Sequence, residues 1–281
     1  DRSSAVASKL RDHVFVPGSY LSSAAPRSRN TIGSCTGRSC SAIEMFSTGS
    51  WLPAVGAPAV RFTVSLNPVC FRDSGFCRSA RPLPSSARAA LIVVDMQNGF
   101  VHDRGSCARS GFPVAHVQPA VAPCRRAVDV ARRAGVPIVF TRYTYRADFR
   151  DGGFMLREKF PMLAEARALV AGTWDQALLE DLDARADDFV VDKNRPSSFH
   201  GTPLESYLKG LGVEEVVVCG VTTSCCVETT VRDAAQRDFR TFVLTDAVAE
   251  WDDARQRAAL DTMGILFAHL LTTDGLASAW R

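Results

Sequence analysis

The sequence predicts an α/β fold of three layers, αβα, around a six-stranded, mainly parallel sheet. Two observations carry this. Short apolar runs of strand length alternate with stretches of helical period from about Ala89 to the C-terminus, and an acid, a lysine and a cysteine stand where three of those runs end. Regular alternation of strand and helix implies parallel pairing with right-handed crossovers and helices on both faces.

The elements follow in order. Ala90–Val94 is a continuous apolar run, suited to a strand buried on both faces. Pro119–Ala134 has helical periodicity and is followed by Gly135, a good residue for ending a helix. Pro137–Thr141 is the second strand. Tyr143–Thr173, which contains Gly152–Gly153, reads as a long loop with helical pieces, and Trp174–Asp183 as a helix. Phe189–Val191 is the third strand, Thr202–Leu211 a helix stopped by Gly212, and Glu215–Cys219 the fourth strand. Cys226–Gln236 is a helix, Thr241–Thr245 the fifth strand, Asp252–Met263 a helix and Ile265–Leu271 the sixth strand.

The chain has 281 residues, enough for one large α/β domain, and its composition is that of an ordinary globular protein. A net charge of +3 gives no case for a nucleic-acid partner. No apolar run approaches the roughly 18 residues of a membrane helix. The charge is uneven: residues 1–85 carry +6 and the remainder −3. Residues 1–88 are rich in Ser, Arg, Pro and Gly with little periodicity, and are expected to be a dispensable extension that buries too little apolar surface to fold. An Arg- and Ser-rich, acid-poor segment can also be an organelle transit peptide, and a misplaced start or a fragment is a further reading. Residues 89–281 form the expected catalytic domain. The nine cysteines are irregularly spaced, which argues against a secreted disulfide framework and for a reducing, cytoplasmic setting.

In parallel sheets ligands bind beyond the carboxyl ends of the strands. The first strand ends in Asp95, the third in Asp192-Lys193-Asn194-Arg195, and the fourth leads into Gly220-Val221-Thr222-Thr223-Ser224-Cys225-Cys226-Val227. Lysine is scarce here, with only Lys9, Lys159, Lys193 and Lys209. A cysteine at a helix start, with an ammonium nearby, is inclined toward thiolate. A carboxylate beside it can take the thiol proton and return it to a leaving group, and helix-start N–H groups can hold an oxyanion. Together these make an acyl-transfer site. Taken singly, each residue has a structural reading: a loop-capping Asp, a solvated Lys, an inert buried Cys. Phosphoacceptor domains also use an Asp and a Lys at strand ends, but they need no cysteine at a helix start and usually carry an acidic cluster where Met96-Gln97-Asn98 stand.

The sequence resembles the isochorismatase-like cysteine hydrolases, which include nicotinamidases, N-carbamoylsarcosine amidases and ureidoacrylate amidohydrolases. Three pieces match: Val94-Asp95-Met96-Gln97-Asn98-Gly99-Phe100, Lys193 with Phe199-His200-Gly201-Thr202-Pro203-Leu204, and the run from Gly220 through Cys226 to Ala234. The resemblance spans roughly Ala89–Gly275. It implies the catalytic triad Asp95, Lys193 and Cys226, attack by Cys226 on an amide or ureido carbonyl, and a thioester intermediate. It also implies a cis peptide before Thr222, an oxyanion hole from the backbone N–H groups of Thr222 and Cys226, and a homo-oligomer. In the family motif the nucleophile immediately precedes Val, which selects Cys226 and leaves Cys225 without a chemical role. Metal-binding relatives use an Asp-x-His pair plus further histidines. This chain has His13, His102, His116, His200 and His269 and no Asp-x-His, so no metal and no cofactor are expected. The expected partner is a small-molecule amide, carbamoyl or ureido substrate. Gly172-Thr173-Trp174-Asp175 resembles ureidoacrylate-type members, although Pro196 stands where those tend to carry Tyr. A nicotinamidase-type amidase and a non-catalytic binding module are the alternatives. The expected pocket walls are Phe100, the Arg142–Phe149 loop, Trp174, Phe199 and His200. Arg142 is the candidate cation for a substrate carboxylate, with a surface ion pair as its competing role.

Overall fold

The computed structural model of the protein describes residues 82–281. The expected extension therefore lies outside the described residues except for 82–88, as do Cys35, Cys40, Cys70 and Cys77. In chain order the elements are β1 (Ala89–Val94), α1 (Asn98–Val101), α2 (Ser106–Arg109), α3 (Val121–Arg133), β2 (Ile138–Tyr143), α4 (Pro161–Glu165), β3 (Phe189–Lys193), α5 (Leu204–Gly210), β4 (Glu215–Val221), α6 (Glu228–Ala235), β5 (Arg240–Ala249), α7 (Asp253–Leu266), β6 (His269–Leu271) and α8 (Thr273–Ala279).

The six strands form one sheet in the order β3-β2-β1-β4-β5-β6, and every neighbouring pair is parallel. The strand order reverses between β1 and β4, the position where open α/β sheets leave a crevice for ligands. The side chains of β1 show why the sheet is covered twice. Leu91 and Val93 pack with Ala127, Val128 and Ala131 of α3 and with Leu276 of α8. Ala90, Ile92 and Val94 pack with Leu204 and Leu208 of α5, Val231 and Ala234 of α6, and Met263 of α7. All six β1 residues are buried. Full burial of one such side chain contributes about 1.5–3 kcal/mol, so truncation of Ile92 to Ala should cost about 2–5 kcal/mol.

Local signals fix the helix ends. Gly135 takes a φ of 66°, and the Val136 N–H closes back on the Ala131 carbonyl at 2.9 Å, which stops α3 where the sequence predicts. Asp252 caps α7 by accepting from the Arg255 N–H at 2.9 Å. Gly220 has a φ of 116°, and a Cβ there would sit 2.1 Å from the Val94 carbonyl oxygen. Only glycine lets β4 approach β1 this closely.

Three expectations change. Trp174–Asp183 is not a helix: Trp174, Asp175 and Ala177 give their carbonyls to Asn98 and Gly99, and only Glu180–Leu182 forms a short 3₁₀ turn. Tertiary hydrogen bonds override the local helical preference there. The sixth strand is only His269–Leu271, because α7 continues through Ile265 and Leu266. The chain before α6 is a π-turn over Thr223–Val227, so Cys226 lies inside that turn and not at the first residue of a helix.

Candidate active site

Asp95 follows β1 with a φ of 51°, a left-handed conformation that Asp tolerates better than most residues. The turn aims its carboxylate under the neighbouring strand. Oδ1 accepts the Thr141 hydroxyl at 2.6 Å, and Lys193 Nζ lies 2.6 Å from Oδ2. Neither side chain of the ion pair is exposed. β2 separates the strands that carry the two charges, and its register pairs Tyr143 with Lys193. Thr141 and Tyr143 therefore stand between Asp95 and Lys193 on one face of the sheet. Lys193 Nζ also donates to the carbonyls of Arg195 (3.2 Å) and Pro196 (3.0 Å) and lies 4.4 Å from the centre of the Tyr143 ring. Burial works against its charge, but the Asp95 carboxylate and the Cys226 sulfur more than compensate, and the pKa is raised.

Cys226 is 4% exposed and lies within electrostatic reach of both Lys193 and Asp95. Its hydrogen bond with the Cys225 thiol and then its burial push its pKa up, while the Lys193 ammonium pulls it down. The net direction is upward: the neighbouring thiol and burial oppose ionisation of Cys226, and the Lys193 ammonium favours it. Cys225 is more exposed, and the same hydrogen bond, helped by Lys193, lowers its pKa. The other described cysteines are buried. Burial pushes Cys107 up to about 12, and the hydrogen bond with Cys124 followed by burial raises Cys219. The Val221–Thr222 peptide is cis, as the resemblance implies.

Two sets of bonds hold these residues together. The loop after Lys193 is stitched to α6: Ser197 donates to Asp233, and the Ser198 N–H to the Thr230 hydroxyl at 3.0 Å. Thr230 and Asp233 are three apart on one helix face, which explains their place in the run that follows Cys226. On the other side, Gln97 accepts from the Tyr143 N–H (2.7 Å) and donates to the carbonyls of Tyr143 (3.0 Å) and Gln176 (2.7 Å). The buried Asp175 carboxylate accepts from the N–H groups of Ser106 and Leu169, both at 2.8 Å. The run from Met96 to Phe100 is thus largely scaffolding for the segment that crosses the sheet edge.

The expected pocket walls divide. Phe100 is half-buried with its ring 6.4 Å from Tyr143, next to the triad. Trp174 is 46% exposed and packs on His102 (5.1 Å) and Arg104 (5.3 Å). Phe199 is a core residue stacked on Phe239 and Arg237, because the loop carrying it is pulled onto α6. His200 is exposed. Arg142 takes the competing role: Asp192 grips its guanidinium in two hydrogen bonds, at 2.7 and 2.9 Å. Strand alternation turns it away from the face that carries Tyr143 and Cys226. Within the Arg142–Phe149 loop the phenols of Tyr143 and Tyr145 come within electrostatic reach of Cys226. Burial pushes Tyr145 up to about 12 and raises Tyr143 further, so both remain neutral donors. Thr141 is a neighbour of the ion pair that the sequence reading did not name, while Tyr143 and Tyr145 belong to the Arg142–Phe149 stretch it expected as a pocket wall. Among the described residues, no group of three or more His, Cys, Asp or Glu side chains is arranged to hold a metal ion.

The parallel sheet thus brings a buried acid–lysine pair and a cysteine together near its switch point. The isochorismatase domain model matches residues 89–275, and the chain belongs to that family. It is 33% identical over 233 residues to a ureidoacrylate amidohydrolase of Methylobacterium radiotolerans, covering 75% of this chain and 90% of that protein. It is 34% identical over 195 residues to nicotinamidase 3 of Arabidopsis thaliana, covering 69% and 89%. Among solved structures, a cysteine hydrolase from Pseudomonas syringae superposes with a TM-score of 0.64 at 30% identity, covering 72% of this chain and 98% of that one. An N-carbamoylsarcosine amidase from Thermoplasma acidophilum gives 0.56 at 29%, covering 66% and 97%. The chain is accordingly a hydrolase of carbon–nitrogen bonds other than peptide bonds.

Proposed function

We propose that the chain is a cysteine amidohydrolase acting on a small carbamoyl or ureido compound, with Cys226 as nucleophile, Asp95 as proton carrier and Lys193 as the cation that holds both. The observation that supports it most is the fully buried Asp95–Lys193 pair, 2.6 Å apart, with the buried Cys226 in electrostatic reach. Asp95 takes the thiol proton as Cys226 Sγ attacks the carbonyl carbon. The oxyanion is met by the backbone N–H groups of Thr222 and Cys226. The C–N bond breaks, the proton on Asp95 passes to the departing nitrogen, and ammonia or an amine leaves a thioester on Cys226. Asp95 then deprotonates a water that attacks the thioester, the C–S bond breaks, and the proton returns to sulfur. Lys193 keeps its charge throughout.

The substrate class rests on the ureidoacrylate and N-carbamoylsarcosine relatives. The nicotinamidase relative, equally similar, supports nicotinamide as the second reading. A panel of ureidoacrylate, N-carbamoylsarcosine, biuret and nicotinamide, assayed for ammonia release, separates them. Fastest turnover of a ureido or carbamoyl compound is expected, and preference for nicotinamide would overturn the substrate class while sparing the cysteine mechanism. Activity should withstand EDTA; loss restored by zinc or iron would show a metal-dependent enzyme. The same reading includes a dispensable segment 1–88, a reducing, cytoplasm-like setting and a homo-oligomer. Analytical ultracentrifugation tests the last. Among the described residues no helix is long and apolar enough to cross a membrane.

A further inference from the structure

Glu250 is a buried carboxylate that the mechanism above does not use. It directly follows Ala249, which pairs with Val221 at the ends of β5 and β4. Its side chain is 1% exposed and fully engaged. Oε2 accepts both the N–H and the hydroxyl of Ser224, each at 2.8 Å. Oε1 accepts the Trp251 N–H at 2.9 Å and Arg255 Nη2 at 3.1 Å. Ser224 lies in the π-turn Thr223–Val227, two residues before Cys226. That turn starts without a side-chain cap of its own, so its leading N–H groups need acceptors from elsewhere. Glu250 supplies one from the next strand.

We infer that Glu250 is a positioning residue: it caps the nucleophile turn from the adjacent strand and so fixes the Cys226 sulfur and the N–H groups beside it against the Asp95–Lys193 pair. This rests on the reading of Cys226 as nucleophile. A buried carboxylate costs desolvation, and an apolar residue after β5 would cost none. What the acid provides is a rigid link: two hydrogen bonds to Ser224 in the turn, with the other oxygen held by the Trp251 N–H and Arg255 on the side of β5. Misplacement of a reacting group by about 1 Å can cost on the order of 10²-fold in rate, so a link of this kind has a large effect on turnover without touching substrate. Arg255 closes the outer side and neutralises the acid, since a bare negative charge near Cys225 and Cys226 would oppose formation of the attacking thiolate. The charged groups facing the turn are then Lys193, Asp95 and Glu250, with Tyr143 and Tyr145 neutral.

The test uses the full chain, ureidoacrylate hydrolysis followed by ammonia release, and four variants. Glu250→Ala removes the cap and should lower kcat on the order of 10²-fold with KM within about twofold. Glu250→Gln keeps a carbonyl oxygen that can accept from Ser224, and should recover most of that loss. Ser224→Ala removes one of the two bonds and should lower kcat a few-fold; it stands in for Glu250→Ala if that variant does not fold, as judged by circular dichroism. Cys226→Ala run alongside tests the nucleophile separately: an active Cys226→Ala sinks the Cys226 reading whatever the Glu250 variants do. With Cys226→Ala dead, an unchanged kcat in Glu250→Ala, or in Ser224→Ala, overturns the positioning role. So does equal loss in Glu250→Ala and Glu250→Gln, or a loss carried by KM.

Discussion

The two ends of the sheet carry charge in opposite ways. At the amino-terminal ends of β1, β4 and β5, Arg88, Arg237 and Arg240 ring an open cavity of about 490 Å³. Each is paired: Arg88 with Glu214 (2.6 Å), Arg237 with Glu205 (2.9 Å), Arg240 with Glu215 (3.2 Å). The arginines are about one-third to over one-half exposed, so the Arg88 and Arg237 pairs are screened and individually worth about 0–1 kcal/mol, while Arg240 meets a carboxylate that is itself buried. At the carboxyl ends the Asp95–Lys193 pair stands near the switch point with no exposure at all. A buried pair loses much of its Coulomb gain to desolvation, and apolar residues of the same volume would often be as stable. The open, charged cavity is therefore the poorer functional candidate. A costly buried pair beside a cysteine needs a chemical reason; half-exposed arginines around an open cavity do not.

The sharpest way to break this contrast is Cys226→Ala. It should abolish ammonia release and leave the fold intact, whereas Cys225→Ala should keep most activity. If Cys225→Ala were the inactive one, the nucleophile would be misassigned by one residue. Iodoacetamide mapping needs care here, since Cys225 is the more exposed thiol with the lowered pKa and should label first. Labelling of Cys226 is best followed in the Cys225→Ala background.

Asp95→Asn comes next. Amide replaces the proton acceptor while the Thr141 hydrogen bond can persist, so turnover should fall by about 10²–10⁴-fold. A loss under tenfold would move the base elsewhere.

Asp95 and Lys193 could be picked out because each stands at the end of an apolar run, a position that survives in a sequence without coordinates, and Cys226 through the motif that follows the fourth strand. Arg142 was harder: its partner Asp192 lies fifty residues on, and only the β2–β3 register brings them together. Phe199 belongs to the core through Phe239, another distant contact. Trp174–Asp183 has a plausible helical pattern that Asn98, Gly99 and Asp175 override with long-range hydrogen bonds. Thr141 left a faint signal, a hydroxyl closing an apolar strand next to the Asp95 strand. Glu250 left none, since Ala-Glu-Trp-Asp-Asp reads as a solvated acidic turn.

A third comparison pits stability against turnover. Lys193→Ala leaves the Asp95 carboxylate buried and unpaired, which should cost about 3–5 kcal/mol. Arg88→Ala at the other end, where both partners are exposed, should cost about 1 kcal/mol or less. The double variant Asp95→Asn with Lys193→Met removes both charges and should recover much of the lost stability in urea unfolding while remaining inactive. Recovery of neither would mean that the pair holds the fold. The pH dependence has a definite sign. The Lys193 pKa is raised, so its contribution is fully present below the unfolded lysine value of about 10.4 and is lost as pH rises through the higher folded value. The stability that Lys193 contributes should therefore be flat across neutral pH and be lost in strongly alkaline solution.

The smallest expected effect lies at the amino-terminal end of the sheet. Trp280 is 4% exposed, and its indole N–H donates to the Pro84 carbonyl at 3.1 Å. The Ser85 N–H donates to Glu215 at 2.6 Å, and Glu215 also meets Arg240. A chain beginning at Pro82 keeps both bonds and should match the full chain in unfolding midpoint and kcat. A chain beginning at Arg88 loses both, and leaves the indole N–H without its acceptor and Glu215 without one of its donors. Leaving a buried donor unsatisfied costs about 1–3 kcal/mol, so this shorter chain should unfold at lower urea. Its kcat per folded molecule should stay the same, because nothing at that end touches the triad across the length of the strands. A fall in kcat with the fold retained would show that the two ends are coupled; a fall already in the chain that begins at Pro82 would show that residues 1–81 take part in catalysis.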